Sequence, residues 1–463
     1  MITLRLTSSR TNTTYLAAAS TAICGCGATL LLSGAVSNHV EVAIGGAAAL
    51  TIGLIALLAA GWIDAVALLI LALPLPAIYS SDLVRVAPAM LLTPVVLVAW
   101  FLARGGDRRP MIARGLPWRS LAALFAALCL AAAFAASRGA ALRELANWVL
   151  FIGLLALFAA ELENAPQRVH RLARLLSLIG AACGAAALLQ AVGILPSPFA
   201  RAGTSFSRAT LGFGWPNEAG MFLAMLVPFS VYSGSVAQTR AERFQASVGL
   251  ALTILGLTAT FSRGSWLATL TGSLFLLFAA QGRFVVRIWL VAFVAAFVIN
   301  LVSGGAISDR IVSTFGDWVI EQRAALTLAG VVMFLANPLV GVGPGGFASS
   351  LEDYGPGISW LWDYLPTAQN GYVQMAAETG VIGLIALLVF YGTGVRKLIR
   401  RLRSRSTLAA PDAALQRSLL WALAIVCMLG LVEWTFAHGI AQLLLLIVAM
   451  TFAEPRAAAQ VQS

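Results

Sequence analysis

Charged residues are scarce in this sequence of 463 residues. Asp, Glu, Lys and Arg together make up 11% of it, whereas a typical soluble domain carries about 25% charged residues. Hydrophobic residues make up 60%, and the mean hydropathy is +0.89. A composition this apolar excludes an ordinary soluble globular domain.

Cysteine is scarce too, with five residues in all, and each of them falls in an apolar run. Cys24 and Cys26 lie close in sequence, but on a helix their side chains would point to different sides. Neither a disulfide framework nor a zinc site is therefore indicated.

Apolar runs near the ~20-residue length of a membrane span recur from end to end. They are continuous and rich in Leu and Ala, which indicates helices rather than the alternating strands of a membrane β-barrel. The sequence therefore predicts an all-α, polytopic integral membrane protein of about 12–14 transmembrane helices, with residues 1–463 forming one transmembrane domain. The predicted spans are 15–36, 41–60, 62–80, 84–103, 118–136, 144–162, 171–193, 218–238, 246–261, 264–281, 284–302, 371–392, 415–434 and 436–453.

The positive charge is almost all arginine, since Lys397 is the only lysine and the net charge is +11. In a soluble protein this excess would favour nucleic acid. Basic loops between spans are also what membrane topology requires, so we expect membrane lipids and no nucleic acid as partners. The basic loops, which place both termini in the cytoplasm, are 104–119, 163–174, 238–245, 281–287 and 396–406.

This orientation leaves one long polar segment, residues 303–370, on the outer (periplasmic) side. It is too short for a sizeable core of its own, so we interpret it as a loop inserted between spans and not as an independent domain. Its amphipathic helix, within 308–337, is expected to lie on the membrane face. Arginines on the outer side run against the usual bias, and ionisable groups at a membrane are functional candidates. They are Arg201, Arg208, Arg263, Arg310 and Arg323, together with Arg138 and Arg143, for which Glu144 is a possible local partner.

Four polar segments interrupt the outer ends of the spans. The first, RAGTSFSRATLGFGWPNEAG at 201–220, joins small residues and arginines to a helix start, where Asn217 is a plausible cap; such starts favour anions. The second, FSRGSW at 261–266, places an arginine where it can fork two hydrogen bonds to a phosphate. An ordinary turn whose arginine reaches lipid headgroups is the alternative.

The third segment has Arg323 on a helix followed by NPLVGVGPGGF at 337–347, which lacks the Lys-Ser/Thr end of a nucleotide P-loop. The fourth has Gln369-Asn370 ahead of Glu378 in ETGVIG. In this order the segments resemble the O-antigen ligase and polymerase family over residues 195–395. That family has a Pro-Asn element, a Ser-Arg-Gly break, an Arg-bearing helix ending in a Pro-Leu-x-Gly-Val-Gly-Pro-Gly loop, and His-Asn before Glu-x-Gly-x-x-Gly.

The resemblance implies a membrane glycosyltransferase of the bacterial inner membrane, with its active site at the periplasmic face. The donor would be a glycan on undecaprenyl pyrophosphate, and the acceptor a glycan or lipid A-core. Arginines can stabilise the leaving pyrophosphate. The outer acidic residues are paired only at Glu352-Asp353, so we expect neither a metal ion nor another cofactor. The expected catalytic residues are Arg263, Arg323, Gln369 and Glu378, and the expected substrate-binding residues are Arg201, Arg208, Asn217, Asn370, Trp360 and Tyr372.

Gln369 stands where the family's ligases have a histidine. A glutamine can orient a hydroxyl group but cannot take its proton at neutral pH, so the sequence leaves ligase and polymerase open. The candidate replacements for the base are Asp353, Asp363, Glu378 and His438.

Two functions of other classes also stay open. A membrane anion transporter, for instance one carrying bicarbonate, would have broken helices with polar residues, although these spans show no inverted repeat. A non-catalytic subunit of a polysaccharide assembly would keep the fold without the chemistry.

Overall fold

The computed structural model describes Ile55 and residues 64–74, 79–80, 85–86, 88–104, 113–197, 207–213, 215–279, 282–302, 304–305, 308, 318–355, 357, 367–404, 409–436 and 439–453. In this part the chain is helical apart from two short strands, β1 (Tyr79–Ser80) and β2 (Arg85–Val86), which pair antiparallel. The predicted spans 15–36 and 41–60 lie outside it, Ile55 excepted. The all-α, polytopic fold class is confirmed.

The helices are numbered in chain order. They are α1 (Ala65–Ala72), α2 (Pro88–Arg104), α3 (Trp118–Ala133), α4 (Arg138–Asn164), α5 (Arg168–Ala191), α6 (Pro216–Ser235), α7 (Arg240–Ala259), α8 (Arg263–Leu274), α9 (Gly282–Val302), α10 (Trp318–Ala336), α11 (Leu351–Tyr354), α12 (Gly371–Arg403), α13 (Ala410–Leu429) and α14 (Ile440–Phe452). Two 3-10 turns accompany them, at Phe275–Ala279 and Ala348–Ser350.

Four of the described helices, α4, α5, α12 and α13, are long and apolar enough to cross a membrane. The described helices from α2 onward lie where spans were predicted, except for α10 and α11 in the loop 303–370. The continuous helical span predicted at 62–80 is wrong, because α1 ends at Ala72 and Tyr79 already pairs with Val86. Pro74 lies two residues after the end of α1, and proline cannot continue a helix without loss of a hydrogen bond.

Helices α1 to α9 and α12 to α14 contribute buried residues to one core. Trp421, Phe222 and Leu444 are almost completely buried in it. Helices α5 and α7 approach very closely, since a Cβ atom placed on Gly256 would lie 2.4 Å from the Cα of Gly184. Small residues at such crossings allow backbones in a membrane to pack by van der Waals contact.

Helix α12 is broken at Gly380, which has φ 65° and ψ −167°. Residues 337–347, the Gly/Pro-rich loop, supply the hydrogen bonds that the break removes. The N–H groups of Val342 and Gly343 donate to the carbonyls of Ala377 and Glu378, at 2.9 and 3.0 Å. In the other direction, the N–H of Val381 donates to a carbonyl of the loop. The loop and the ETGVIG motif therefore form one structural unit.

The helix predicted on the membrane face has more tertiary contact than expected. Its described part, α10, packs against α12 and buries Leu326, Ala329 and Met333 in a small core with Phe347 of the Gly/Pro-rich loop. Leu335 on its other side is 68% exposed. Residues 309–317 of the predicted helix lie outside the described part.

The two ends of the bundle have different chemistry. At one end α5, α7 and α13 begin and α12 and α14 end, and Lys397 and Arg401 donate to the carbonyls of Phe452 and Thr451 at the C-terminus of α14. Cations at a helix C-terminus are favoured by the helix dipole. At the opposite end α6, α8, α12 and α14 begin, and most of the predicted site residues lie there.

Candidate active site

The candidate site centres on Glu433, in the turn between α13 and α14. Its Oε1 accepts a hydrogen bond from Nη2 of Arg323 at 2.6 Å and another from Nδ2 of Asn217 at 2.7 Å. The Glu433 side chain is 16% exposed and that of Arg323 is 30% exposed. One carboxylate thus brings together α6, α10 and the α13–α14 turn at a partly solvated position.

Arg208 extends this cluster from the segment ahead of α6. Its Nη2 donates to Oδ1 of Asn217 at 3.2 Å, and its Nε donates to the carbonyl of Thr260 at 3.2 Å. Asn217 therefore bridges Arg208 and Glu433 with the two ends of its amide. The resulting chain of hydrogen bonds contains two guanidinium groups, one amide and one carboxylate.

The expectation that Asn217 caps α6 is wrong. Trp215 occupies the cap position, and its backbone N–H donates to Oε2 of Glu218 at 3.3 Å. Pro216 is the first helical residue, where its fixed φ angle and missing N–H are tolerated. Asn217 is therefore the second residue of the helix. Its side chain is directed at Arg208 and Glu433 instead of its own backbone.

The segment that carries Arg208 is bonded to Gln190, a buried residue of α5 that sequence reasoning did not single out. Gln190 Oε1 accepts from the backbone N–H groups of Thr210 and Leu211, at 3.1 and 2.8 Å, and its Nε2 donates to the carbonyl of Pro196 at 3.0 Å. The segment 207–213 is therefore fastened to the end of α5. This fixes the backbone from which the Arg208 side chain projects.

Three residues other than glycine have left-handed backbone conformations in the described part, and all of them flank site segments. Leu211, Phe261 and Gln369 have φ values of 52°, 51° and 54°. Such conformations cost about 1–3 kcal/mol each and tend to cluster at functional sites. They adjoin the segment of Arg208, the start of α8 and the start of α12.

Arg263 is the first residue of α8 and lies on the rim of the same site. Its neighbour Gly264 packs against the α13–α14 turn, where an added Cβ atom would lie 2.9 Å from Cγ2 of Val432, next to Glu433. Helices α6, α8 and α12 all begin at this rim. Their free N–H groups give it additional partial positive charge.

Asn370 links α12 to the α13–α14 turn. Its Oδ1 accepts from the N–H groups of Tyr372 and Val373, at 3.0 and 3.1 Å, which makes it the cap of α12. Its Nδ2 donates to the carbonyl of Leu431 at 3.0 Å. Asn370 therefore holds two backbones of the site in place.

Gln369 lies immediately before this cap and is 8% exposed. Its Nε2 donates to Oγ1 of Thr367 at 3.0 Å, and its Oε1 has no hydrogen-bond partner among the residues that the structure describes. A buried acceptor of this kind costs about 1–3 kcal/mol until it is paired.

Tyr372 was expected to contact a sugar, but its hydroxyl group is used inside the bundle. It donates to the backbone carbonyl of Cys427 at 2.7 Å, and its ring lies against Gly430. Tyr372 therefore joins α12 to α13 below the rim of the site.

Glu378 lies in a second, separate network. Its Oε1 accepts from Nε2 of Gln374 at 2.6 Å and from the N–H of Phe347 at 3.3 Å, and Gln374 in turn accepts from the N–H of Ala368 at 2.6 Å. Glu378 is 6% exposed. Its described hydrogen bonds stabilise the loop on α12 and do not include Arg323, Asn217 or Glu433.

The structure thus brings Arg208, Asn217 and Arg323 into one hydrogen-bond network. Arg208 bonds Asn217, and Glu433 joins Asn217 to Arg323. The structure puts Arg263, Gln369 and Asn370 on the surrounding backbone. Asp353 is exposed on α11. The predicted site residues that lie outside the described part are Arg201, Arg310, Trp360, Asp363 and His438.

Glu433 is the functional candidate that sequence reasoning missed. An acidic residue between two apolar helices, in LGLVEWTF, is a signal of the kind that ionisable groups at a membrane provide. Its two partners are 110 and 216 residues away along the chain. No short motif could have paired them.

Comparison with known proteins gives one family. Residues 248–388 match the family described as Wzy_C, O-antigen ligase. The matched region runs from α7 into α12 and includes Arg263, Arg323 and Gln369, whereas Arg208 and Glu433 lie outside it. No curated protein matches the chain. Residues 248–388 are therefore similar to the O-antigen ligase family, whose type of activity is membrane glycan transfer, and they lie within a multi-pass membrane protein.

Proposed function

We propose that this protein transfers or polymerises a glycan carried on undecaprenyl pyrophosphate, onto the hydroxyl group of a sugar acceptor. The observation that carries the proposal is the meeting of Arg323 and the Arg208–Asn217 pair at the carboxylate of Glu433. In this site, cationic side chains from separate elements gather around one carboxylate of the protein. Cations arranged in this way also have the right chemistry to bind the anion of a ligand.

The main energetic task in this reaction is the departure of the lipid pyrophosphate, on which negative charge develops. Guanidinium groups remain charged at any relevant pH and can donate two parallel hydrogen bonds to a phosphate. Arg323, Arg208 and Arg263 occupy the rim where three helices also begin, so side chains and helix dipoles act on the same charge. Such donors lower the barrier because the charge they meet forms only in the transition state.

Glu433 acts in this proposal as the group that holds Arg323 and Asn217 ready. Guanidinium groups gathered in a partly desolvated site repel one another, and a carboxylate among them reduces that cost. The hydrogen bonds to Oε1 also fix the direction in which Arg323 points, which preorganises it before the donor arrives.

Gln369 is the proposed contact for the acceptor. Its Oε1 is shielded and unpaired within the described residues, so an incoming sugar hydroxyl could donate to it and remove the cost of an unpaired acceptor. Gln369 would orient this hydroxyl without taking its proton. Both a polymerase and a ligase are compatible with this role.

The charge distribution supports an active site at the periplasmic face of a bacterial inner membrane. The described basic segments 163–174, 238–245 and 396–404 lie at the end of the bundle opposite to the site, and basic loops favour the cytoplasm. A pyrophosphate-linked glycan on the outer leaflet would then meet the site directly.

A transfer assay in proteoliposomes tests the proposal, with undecaprenyl-pyrophosphate oligosaccharide as donor and a second oligosaccharide as acceptor. Arg323→Ala and Arg263→Ala are each expected to lower the transfer rate about 100- to 1,000-fold, because loss of one such donor costs about 2.7–4 kcal/mol. Arg283→Ala, which removes an exposed arginine at the far end of the bundle, is the matched control and should be unaffected.

The products separate the remaining functions. Longer chains on the carrier indicate a polymerase, and polymer joined to lipid A-core indicates a ligase. Absence of transfer together with anion uptake into the liposomes would replace the proposal with a carrier. Full transfer by both arginine variants would remove the role given to the arginines.

A further inference from the structure

A well-defined cavity in the described part lies apart from the polar site. It has a volume of about 480 Å³ and lies between α6, α7, α8, α9 and α13. Small-molecule sites commonly measure about 300–1,000 Å³. One wall is α9, whose other side is open: Leu290, Val294 and Phe297 are between 52% and 62% exposed. The cavity thus lies directly behind a lipid-facing helix.

The hydroxyl and indole groups in its wall are already hydrogen-bonded within the protein. The indole N–H groups of Trp266 and Trp421 donate to the carbonyls of Leu257 and Thr269, at 3.0 and 2.9 Å. The hydroxyl groups of Thr258 and Thr269 donate to carbonyls one helical turn earlier, at 2.9 and 2.7 Å. The charged residue in the wall, Arg287, is exposed near the start of α9, toward the end of the bundle away from the polar site. The rest of the wall is apolar or already hydrogen-bonded, and a cavity of this kind binds hydrocarbon.

One end of the cavity adjoins the polar site. Trp266 in its wall follows Arg263 by three residues, which is about 4.5 Å along α8. Leu257 and Thr258, also in the wall, come just before Thr260, whose carbonyl accepts from Arg208. A molecule with a charged head at the arginines could therefore place an attached hydrocarbon chain in the cavity.

From this geometry we propose that the cavity binds the first part of the polyprenyl chain of the donor, next to its pyrophosphate. The inference rests on the proposed function, because it takes the donor from it. Along α9 the lining residues run from Arg287 to Ala296, about 14 Å at 1.5 Å per residue. This is less than half of the ~30 Å hydrocarbon core, so the rest of the chain lies among lipids beside α9.

The cavity gives the protein a way to recognise a lipid-linked donor beyond its phosphates. The walls contain four aromatic side chains, and such surfaces exclude water from the neighbouring pyrophosphate. Electrostatic interactions are stronger where water is excluded. Chain binding and leaving-group stabilisation would therefore act on the same donor molecule. The aromatic residues are Trp266, Trp289, Phe293 and Trp421.

Photolabelling of the full-length protein in lipid nanodiscs tests this. The probe is undecaprenyl pyrophosphate with a diazirine in its first isoprene units, and labelled peptides are located by mass spectrometry. A diazirine phosphatidylglycerol serves as the comparison lipid. Label from the polyprenyl probe is expected on α8 and α9, and unlabelled undecaprenyl pyrophosphate should compete it away.

Ala292→Phe fills the cavity, and Val294→Phe adds the same ring to the exposed side of the same helix, where Val294 is 52% exposed. Labelling of the cavity peptides should fall at least about tenfold in Ala292→Phe, a change of about 1.4 kcal/mol in binding, and stay unchanged in Val294→Phe. Ala296→Phe provides a second filling variant if Ala292→Phe does not fold.

Equal labelling of the cavity by phosphatidylglycerol, without competition, would show ordinary bilayer lipid and overturn the inference. Polyprenyl label confined to other helices, in a protein that still transfers glycan, would also overturn it while leaving the proposed function intact. Absence of both labelling and transfer would refute the proposed function, and the inference with it.

Discussion

Glu433 and Glu378 are two shielded carboxylates that the chain surrounds in different ways. Glu433 accepts from the charged side chain of Arg323 and from Asn217, and it remains 16% exposed. Glu378 accepts from a glutamine amide and a backbone N–H of the Gly/Pro-rich loop, and it is 6% exposed. The first region contains charge that a ligand can reach, and the second fastens a loop to a broken helix.

An unusual motif can serve to stabilise the fold or to bind a ligand, and this comparison separates the two. The loop NPLVGVGPGGF and the sequence ETGVIG are the most specific segments of the chain, yet their contacts are mostly with each other. A buried network without an opposite charge stabilises a fold. The arginines and Asn217 stand in less specific segments, but their geometry is the one suited to an anionic ligand.

The largest expected effect is on the structural region. Gly380→Ala puts a side chain on a residue with φ 65°, and its Cβ would lie 2.1 Å from the carbonyl oxygen of Leu339. We expect a loss of stability of at least about 3 kcal/mol, since strain and a backbone clash add. Gly392→Ala on the same helix, with open space around its Cβ, should be neutral or stabilising. Thermal unfolding of both in detergent checks this.

A normal melting temperature for Gly380→Ala would mean that the break in α12 is not fixed by the loop. The distinction between the two regions would then be lost.

The next largest effect concerns the site. Glu433→Gln keeps an oxygen that Asn217 and Arg323 can donate to but removes its charge. A hydrogen bond to a charged group contributes about 1.5–3 kcal/mol, so we expect transfer to fall about 10- to 100-fold while the protein stays folded. The transfer rate at saturating donor, with the melting temperature as control, measures it. Unchanged transfer would exclude Glu433 from the site.

A smaller effect is expected from Tyr372→Phe. It removes the hydroxyl that donates to the carbonyl of Cys427, and such a hydrogen bond contributes about 0.5–1.5 kcal/mol to stability. The melting temperature should fall slightly and transfer per folded molecule should not change. A loss of transfer at full stability would instead support the predicted contact with sugar.

A similarly small effect on transfer is expected from Glu378→Gln, the counterpart of Glu433→Gln. The amide oxygen can still accept from Gln374 and from the N–H of Phe347, so transfer per folded molecule should stay within about twofold of the parent. Parallel assays of the two glutamine variants compare the regions directly. A large loss in Glu378→Gln would reinstate it as a catalytic residue.

Much of the fold could be predicted because it depends on local chemistry. Long apolar runs fixed the positions of most described helices, since backbone groups in lipid must be satisfied within each segment. The failure at 62–80 came from Pro74, which ended a helix inside an apolar run. The fit of the Gly/Pro-rich loop into the break of α12 could not be predicted, because neither segment reveals its partner.

The site could be predicted only in part, for the same reason. Arg208 and Arg323 were predicted from charge and from their position between spans, and Asn217 as a helix cap in a Pro-Asn element; their roles in the site stay predictions. Glu433 was missed, and the contact of Tyr372 with sugar stays a prediction.

By itself the sequence determined that this is a helical membrane protein with several arginines between its spans, because hydropathy and charge act through segments close in the chain. The tertiary structure alone decided which carboxylate those arginines meet and which one the loop encloses. The contacts of Glu433 join residues 110 and 216 positions apart, and interactions over such separations exist only once the helices have packed.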